Sequence, residues 1–163
     1  MIICLILAVL AVLLDQVSKY LAVAYLMDID TFPIIKDVLH FTYVENRGAA
    51  FGMHSNSRWV FMVLSCVAIV ILIGYLWRYK PASRLLRLSL ALIAGGGIGN
   101  MIDRTVYGFV VDFIDVAFVW DYVFNVADSA VCIGCGLMVL WFILSEVKEQ
   151  KEKKKTAGSE ESE

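Results

Sequence analysis

The sequence predicts an all-α membrane protein, a four-transmembrane-helix bundle with a small extracytoplasmic β-sheet between spans 1 and 2. Three observations carry that reading. Of 163 residues, 60% are hydrophobic and only 18% charged, with mean hydropathy +0.75, far more apolar than a soluble domain of this length. Four stretches, 2–26, 59–77, 85–102 and 124–145, can each cross a hydrocarbon core that takes about 20 apolar residues. Their flanking charges are segregated in a way that orients the spans.

The first span competes with a cleaved signal peptide, because Ala22-Val23-Ala24 resembles a small-residue cleavage site. The span lacks a basic leader, and Asp15, Gln16 and Lys19 interrupt the apolar approach, which favours a retained helix. After it, Val38 to Val44 is β-branched and aromatic and roughly alternates, so a short strand is expected there, punctuated by Gly48 and Gly52. This strand belongs to the small sheet, lying on the membrane surface. The link between the second and third spans carries Arg78, Lys80, Arg84 and Arg87 without an acid, and the tail carries Lys148, Lys151, Lys153, Lys154 and Lys155. Positive charge on both places link and C-terminus in the cytoplasm. Four spans then put the N-terminus there too, with 27–58 and 103–123 outside. Tyr20, Tyr25, Trp59, Trp77, Tyr79, Trp120 and Tyr122 sit near span ends as interfacial anchors. Residues 1–146 form the membrane domain, and 147–163 a charged tail expected to be disordered.

The polar residues inside this apolar chain are functional candidates, since an intramembrane carboxylate is costly. Asp15 lies about 20 Å up the first helix, Asn100 about 22 Å up the third, and Asp128 about 6 Å down the fourth. They share one outer layer. Asp112 and Arg104, on the loop joining the third and fourth spans, can reach it from above.

Other motifs are weaker. Asp15 and Lys19 at i, i+4 make a helix ion pair, a structural role compatible with a place in the site. Gly95-Gly96-Gly97-Ile98-Gly99 is a poor nucleotide loop inside a span, but Gly95 and Gly99 have the spacing of close helix packing. Cys4, Cys66, Cys132 and Cys135 fall in apolar runs and read as small hydrophobes, Cys132 and Cys135 included despite their redox-like spacing. His40 and His54 have no metal-ligand spacing, and Ser129 has neither a placed histidine nor a nucleophile turn. Nothing suggests nucleic acid. A proton-coupled transporter would need ionisable groups at successive depths, and the inner halves of spans two to four have none. A membrane scaffold would need no converging Asp and Asn. A carboxylate pair is the chemistry left.

Five blocks then carry a family resemblance: Asp15-Gln16-x-x-Lys19, Glu45 to Gly52 (ENRGAAFG), Gly99-Asn100-x-x-Asp103-Arg104, Val111-Asp112-Phe113, and Phe124-Asn125-x-Ala127-Asp128-Ser129. In order and layout the chain resembles the lipoprotein signal peptidases, the type II signal peptidases. The resemblance implies a bacterial cell-membrane aspartic endopeptidase that cuts prolipoproteins before a diacylglyceryl-modified cysteine. It implies Asp112 and Asp128 as the catalytic pair. Asp15, Asn46, Asn100, Arg104 and Asn125 would orient that pair and bind substrate backbone, while Lys19 and Asp103 would pair structurally. The strand segment resembles the family's cradle. Prolipoprotein and membrane lipid are the expected partners, with no metal, no cofactor and no obligate protein partner. Asp115 is an extra carboxylate without an assigned use.

Overall fold

Each of the four helices, α1 (Ile2–Leu26), α2 (Arg58–Tyr79), α3 (Arg84–Val106) and α4 (Val126–Glu160), contains a stretch long and apolar enough to cross a membrane. They come from a computed structural model that describes residues 2–47, 58–117 and 122–160. The expectations placed on Gly48, Gly52, His54 and Trp120 fall outside those residues.

The bundle keeps its large side chains outside and its small ones inside. Leu5, Leu14 and Val17 of α1 and Val63, Val70 and Ile71 of α2 are exposed, whereas α3 buries Ser89, Ala91, Ala94, Gly95, Gly96 and Gly99. In lipid no hydrophobic force drives helices together, so association rests on close backbone approach, which small residues permit. α3 is the central helix, packed on α1, α2 and α4. A Cβ on Gly95 would lie 2.9 Å from the Ala8 carbonyl oxygen of α1, and one on Gly99 would lie 2.5 Å from Asp15 Oδ2. The paired glycines therefore pack α3 on α1, as their spacing predicts. At the opposite end Leu76, Leu86 and Leu90 cluster with Leu72, Met138 and Trp141, closing α2, α3 and α4 together.

α3 begins at Ser83, whose hydroxyl accepts the Leu86 N–H at 3.3 Å. It ends where the N–H groups of Tyr107 and Gly108 both donate to the Asp103 carbonyl, at 2.8 and 3.3 Å, and Gly108 takes φ 86°. That left-handed residue turns the chain into a strand. Arg104 accordingly stands in the last turn of α3 rather than on a loop.

Four strands follow the order β1 (Thr31–Ile35), β2 (Leu39–Asn46), β3 (Val110–Asp115), β4 (Val123–Phe124), all neighbours antiparallel. The expected sheet between the first two spans exists, but half its strands come from the segment between α3 and α4. Asp112 thus lies on a strand, where the sequence reading has a loop. The physical reason is that Val110, Val111, Asp112 and Phe113 are all buried, so β3 shows no alternation to betray it. Val111 and Phe113 pack on Ala22 and Leu26, fixing the sheet to one end of α1.

α4 is the other departure. Its helix continues to Glu160, where the tail composition leads to an expectation of disorder. Lys148 with Glu152 at 3.8 Å and Lys153 with Glu149 at 2.6 Å form i, i+4 pairs that support the helical backbone there.

Candidate active site

Strand register and one helix cap bring two aspartates together. Val44 pairs with Asp112 across β2 and β3, so Asn46, two residues on, shares a face with Asp112. Its Nδ2 donates to Asp112 Oδ2 at 2.8 Å. Asn125 precedes the first residue of α4 and caps it: Asn125 Oδ1 accepts the Asp128 N–H at 2.8 Å, while Asp128 Oδ2 accepts the Asn125 N–H at 3.3 Å. This reciprocal arrangement is a capping box, with Asp128 in the first helical turn.

Asn125 then bridges the pair. It is fully buried, and its Nδ2 donates to Asp112 Oδ1 at 2.6 Å and to Asn100 Oδ1 at 3.1 Å. Asn100 Nδ2 in turn donates to Asp128 Oδ1 at 2.7 Å. Each carboxylate oxygen of the two aspartates therefore has an N–H donor from this set. Arg104 Nη1 donates to the Asn100 carbonyl at 3.4 Å, near the pair without touching it. Asp15 sits deeper: its Oδ1 accepts the Ala127 N–H at 2.8 Å, and its Oδ2 pairs with Lys19 at 2.8 Å. Of the sequence candidates, Asp112, Asp128, Asn46, Asn100 and Asn125 form one hydrogen-bonded set, with Arg104 at its edge and Asp15 behind it.

Asp115 turns the other way, three residues along a strand from Asp112. It accepts from Thr42 Oγ1 at 3.0 Å and lies 3.6 Å from His40 Nδ1. Cys4, Cys66, Cys132 and Cys135 are free thiols. Among the described residues no group of three or more His, Cys, Asp and Glu is placed to hold a metal ion.

A cavity of about 690 Å³ opens onto Asp128, with Asp112 buried behind its lining. Asn46, Asn100, Arg104 and Asp128 line its polar end, and Ser65, Ala68, Ile69 and Leu72 of α2 face Val131 and Cys132 of α4 along its apolar length. The α2 wall has no counterpart in the sequence reading, because apolar residues in a span carry no mark of which face they present. A second cavity of about 550 Å³, between α1, α2 and α3, is lined by residues such as Leu5, Val9, Ile73 and Ile98 and contains no carboxylate.

Burial pushes the Asp112 carboxyl up from its usual range to about 7; the hydrogen bonds from Asn46 and Asn125 oppose that rise, and the charge of Asp128 adds to it. The folded protein thus keeps a proton that the unfolded chain releases between about pH 4 and pH 7. Stability from this group is present in acid and is lost as pH rises through that window. The melting temperature of wild type minus that of Asp112→Asn should fall from pH 4 to pH 7 and flatten above. A difference that grew over the same range would refute the assignment.

Comparison with known proteins gives the family. The family model described as Signal peptidase (SPase) II matches residues 7–144. The chain belongs to the signal peptidase II family. Its relatives include the lipoprotein signal peptidase of Clostridioides difficile, 42% identical over 142 residues, covering 87% of this chain and 95% of that protein. The lipoprotein signal peptidase of Caldanaerobacter subterraneus is 50% identical over 127 residues, covering 78% of this chain and 86% of that protein. A bacterial membrane enzyme structure solved by the in meso method at 1.9 Å superposes with TM-score 0.78 at 30% identity, covering 85% of this chain and 91% of that one. A second, at 2.3 Å, gives TM-score 0.79 at 31% identity, with 88% of each chain covered. As a signal peptidase II family member the chain is a multi-pass membrane peptidase of lipoprotein processing.

Proposed function

We propose that this chain is a membrane-embedded aspartic endopeptidase that removes signal peptides from prolipoproteins, cutting on the N-terminal side of the diacylglyceryl-modified cysteine. The observation that carries the reading is the Asn125 bridge between two carboxylates, Asp112 directly and Asp128 through the capping box. Two neighbouring acids cannot both ionise cheaply, so the pair shares a proton at neutral pH. The ionised member takes a proton from water as it attacks the scissile carbonyl. The protonated member polarises that carbonyl oxygen and gives its proton to the tetrahedral intermediate. Collapse of the intermediate then sends a proton to the leaving amine.

The groove suits a signal peptide, an apolar segment whose backbone must be unwound to expose a peptide bond. Residues Ser65 to Leu72 and Val131 would hold the apolar part, and Asn46, Asn100 and Arg104 offer hydrogen-bonding groups to the unwound end. The diacylglyceryl chains would remain in lipid, each buried methylene contributing about 0.8 kcal/mol to anchoring. The basic residues Arg78, Lys80, Arg84 and Arg87 put the link between α2 and α3, and with it both termini, on the cytoplasmic side, leaving the pair near the extracytoplasmic face.

The test is cleavage of a diacylglyceryl-cysteine signal peptide by the purified protein in detergent with excess chelator, the cut mapped by mass spectrometry. A single cut just before the lipidated cysteine, at a rate indifferent to chelator, is the expected result. Cutting elsewhere, or dependence on added metal, would refute the proposal.

A further inference from the structure

Behind the aspartate pair lies a second charged cluster with more acid than an ion pair needs. Lys19 is 3% exposed, and its ammonium meets Asp15 Oδ2 at 2.8 Å, Asp103 Oδ2 at 3.0 Å and Asn100 Oδ1 at 2.9 Å. Its three donors are thereby used. Asp15 and Asp103 are fully or almost fully buried, and Gln16 Nε2 ties them together at 3.1 and 2.9 Å. A second buried carboxylate beside one ammonium is costly unless other donors meet it.

Those donors are backbone N–H groups, and their positions are informative. Asp15 Oδ1 accepts the N–H of Ala127 at 2.8 Å, and Asp103 Oδ2 accepts the N–H of Val111 at 3.1 Å. Ala127 is the residue before Asp128, and Val111 is the residue before Asp112. One carboxylate thus grips α4 and the other β3, each one peptide unit from an aspartate of the pair. Lys19 holds the two grips together and, through Asn100, reaches Asp128 by a third path.

We infer that Asp15, Lys19 and Asp103 form a brace that sets the separation of Asp112 and Asp128, which makes them positioning residues for the reaction. The inference rests on the two-aspartate reading above. It goes beyond pairing for stability, because it requires the brace to act on turnover. The grip on each backbone N–H needs one acceptor oxygen: asparagine at 103 can meet Val111 and Lys19 with the same oxygen, asparagine at 15 keeps the grip on Ala127 while giving up the oxygen that meets Lys19, and alanine supplies none.

The experiment measures kcat, KM and melting temperature of the full chain in detergent, with a diacylglyceryl-cysteine signal peptide carrying a fluorophore and quencher. Folded Asp15→Ala and Asp103→Ala should lose about 100-fold in kcat with KM within about threefold, as expected for misplacement of reacting groups. Asp15→Asn and Asp103→Asn should keep kcat within about fivefold although they also melt earlier. Lys19→Met leaves two acids facing each other, so it should lose kcat too, and Lys19→Met/Asp103→Asn should regain most of it. This second pair decides the matter if the alanine variants do not fold. Retained kcat in Lys19→Met or the alanine variants, with only the melting temperature lowered, would overturn the brace. So would equal loss of kcat in the asparagine variants, or a rise in KM alone. Asp112→Asn and Asp128→Asn, measured alongside, separate the two ideas: activity in either sinks the two-aspartate reading, whereas inactivity in both with unaffected brace variants sinks only the brace.

Discussion

Asp112→Asn and Asp128→Asn should each reduce kcat by about three orders of magnitude or more, near the upper part of the range for loss of a positioned acid or base. Asparagine matches aspartate in shape and can still accept a hydrogen bond through its one carbonyl oxygen. It can neither take a proton from water nor deliver one to a carbonyl. The folded state should survive both changes. Asn125 can still donate to position 112, and the capping oxygen at position 128 is retained. KM should change little, because the apolar walls from Ser65, Ala68, Ile69, Leu72 and Val131 are untouched and Asp128→Asn keeps the size of the side chain at the polar end. Asp115→Asn is the control. Its carboxylate faces Thr42 and His40 on the other side of β3, so the rate should stay within about twofold of wild type. Peptide cleavage by purified protein, with folding checked by thermal melting in the same detergent, reads out all three. Substantial activity in either asparagine variant at position 112 or 128 would exclude a mechanism that needs both acids.

Gly96→Val should be the most damaging packing change. A Cβ at Gly96 would overlap the Ala127 carbonyl oxygen and stand 2.8 Å from Val131 Cγ2. The obstruction is helix backbone, which cannot rotate aside as a side chain can. Relief requires α3 and α4 to separate, at a cost of about 3 kcal/mol by the usual range for overpacking. The separation would occur one residue from Asp128, whose Oδ1 must stay within reach of Asn100 at 2.7 Å. A displacement of about 1 Å there would lower kcat about 100-fold in whatever protein still folds. Gly136→Ala offers the contrast, since a Cβ there meets nothing within 4 Å. It should leave activity intact and raise stability by about 0.5–1 kcal/mol through helix propensity. Thermal melts of both variants decide the point, and an unperturbed Gly96→Val would show that α3 and α4 do not approach as closely as the structure has them.

The spans were legible in the sequence because the thickness of a hydrocarbon core imposes a length that any apolar run either meets or fails. The polar candidates were legible for a related reason. Carboxylates and amides such as Asp15, Asn100 and Asp128 are expensive near lipid, so their presence in apolar runs marks them without any structure. Local pattern also identified Gly95 and Gly99 as packing residues and Val38 to Val44 as strand, close to the observed β2.

What local pattern could not supply was any pairing between distant elements. β3 is buried on both faces and loses its alternation, so the strand that carries Asp112 was invisible and half the sheet with it. The register that sets Asn46 beside Asp112 is a property of two strands separated by α2 and α3 in the chain. Asn125 is one polar residue among several in the sequence, and becomes the bridge only when its cap faces β3. The same holds for Lys19: its helix-spaced partner Asp15 was readable and its pairing with Asp103 followed from the family resemblance, but the two gripped N–H groups belong to other elements. The sequence by itself determined the membrane class, the spans and which polar residues stand out as candidates in an apolar chain, because solvation energy acts residue by residue. Only the tertiary structure decided which of those residues touch, because hydrogen bonds demand distances that no one-dimensional spacing encodes.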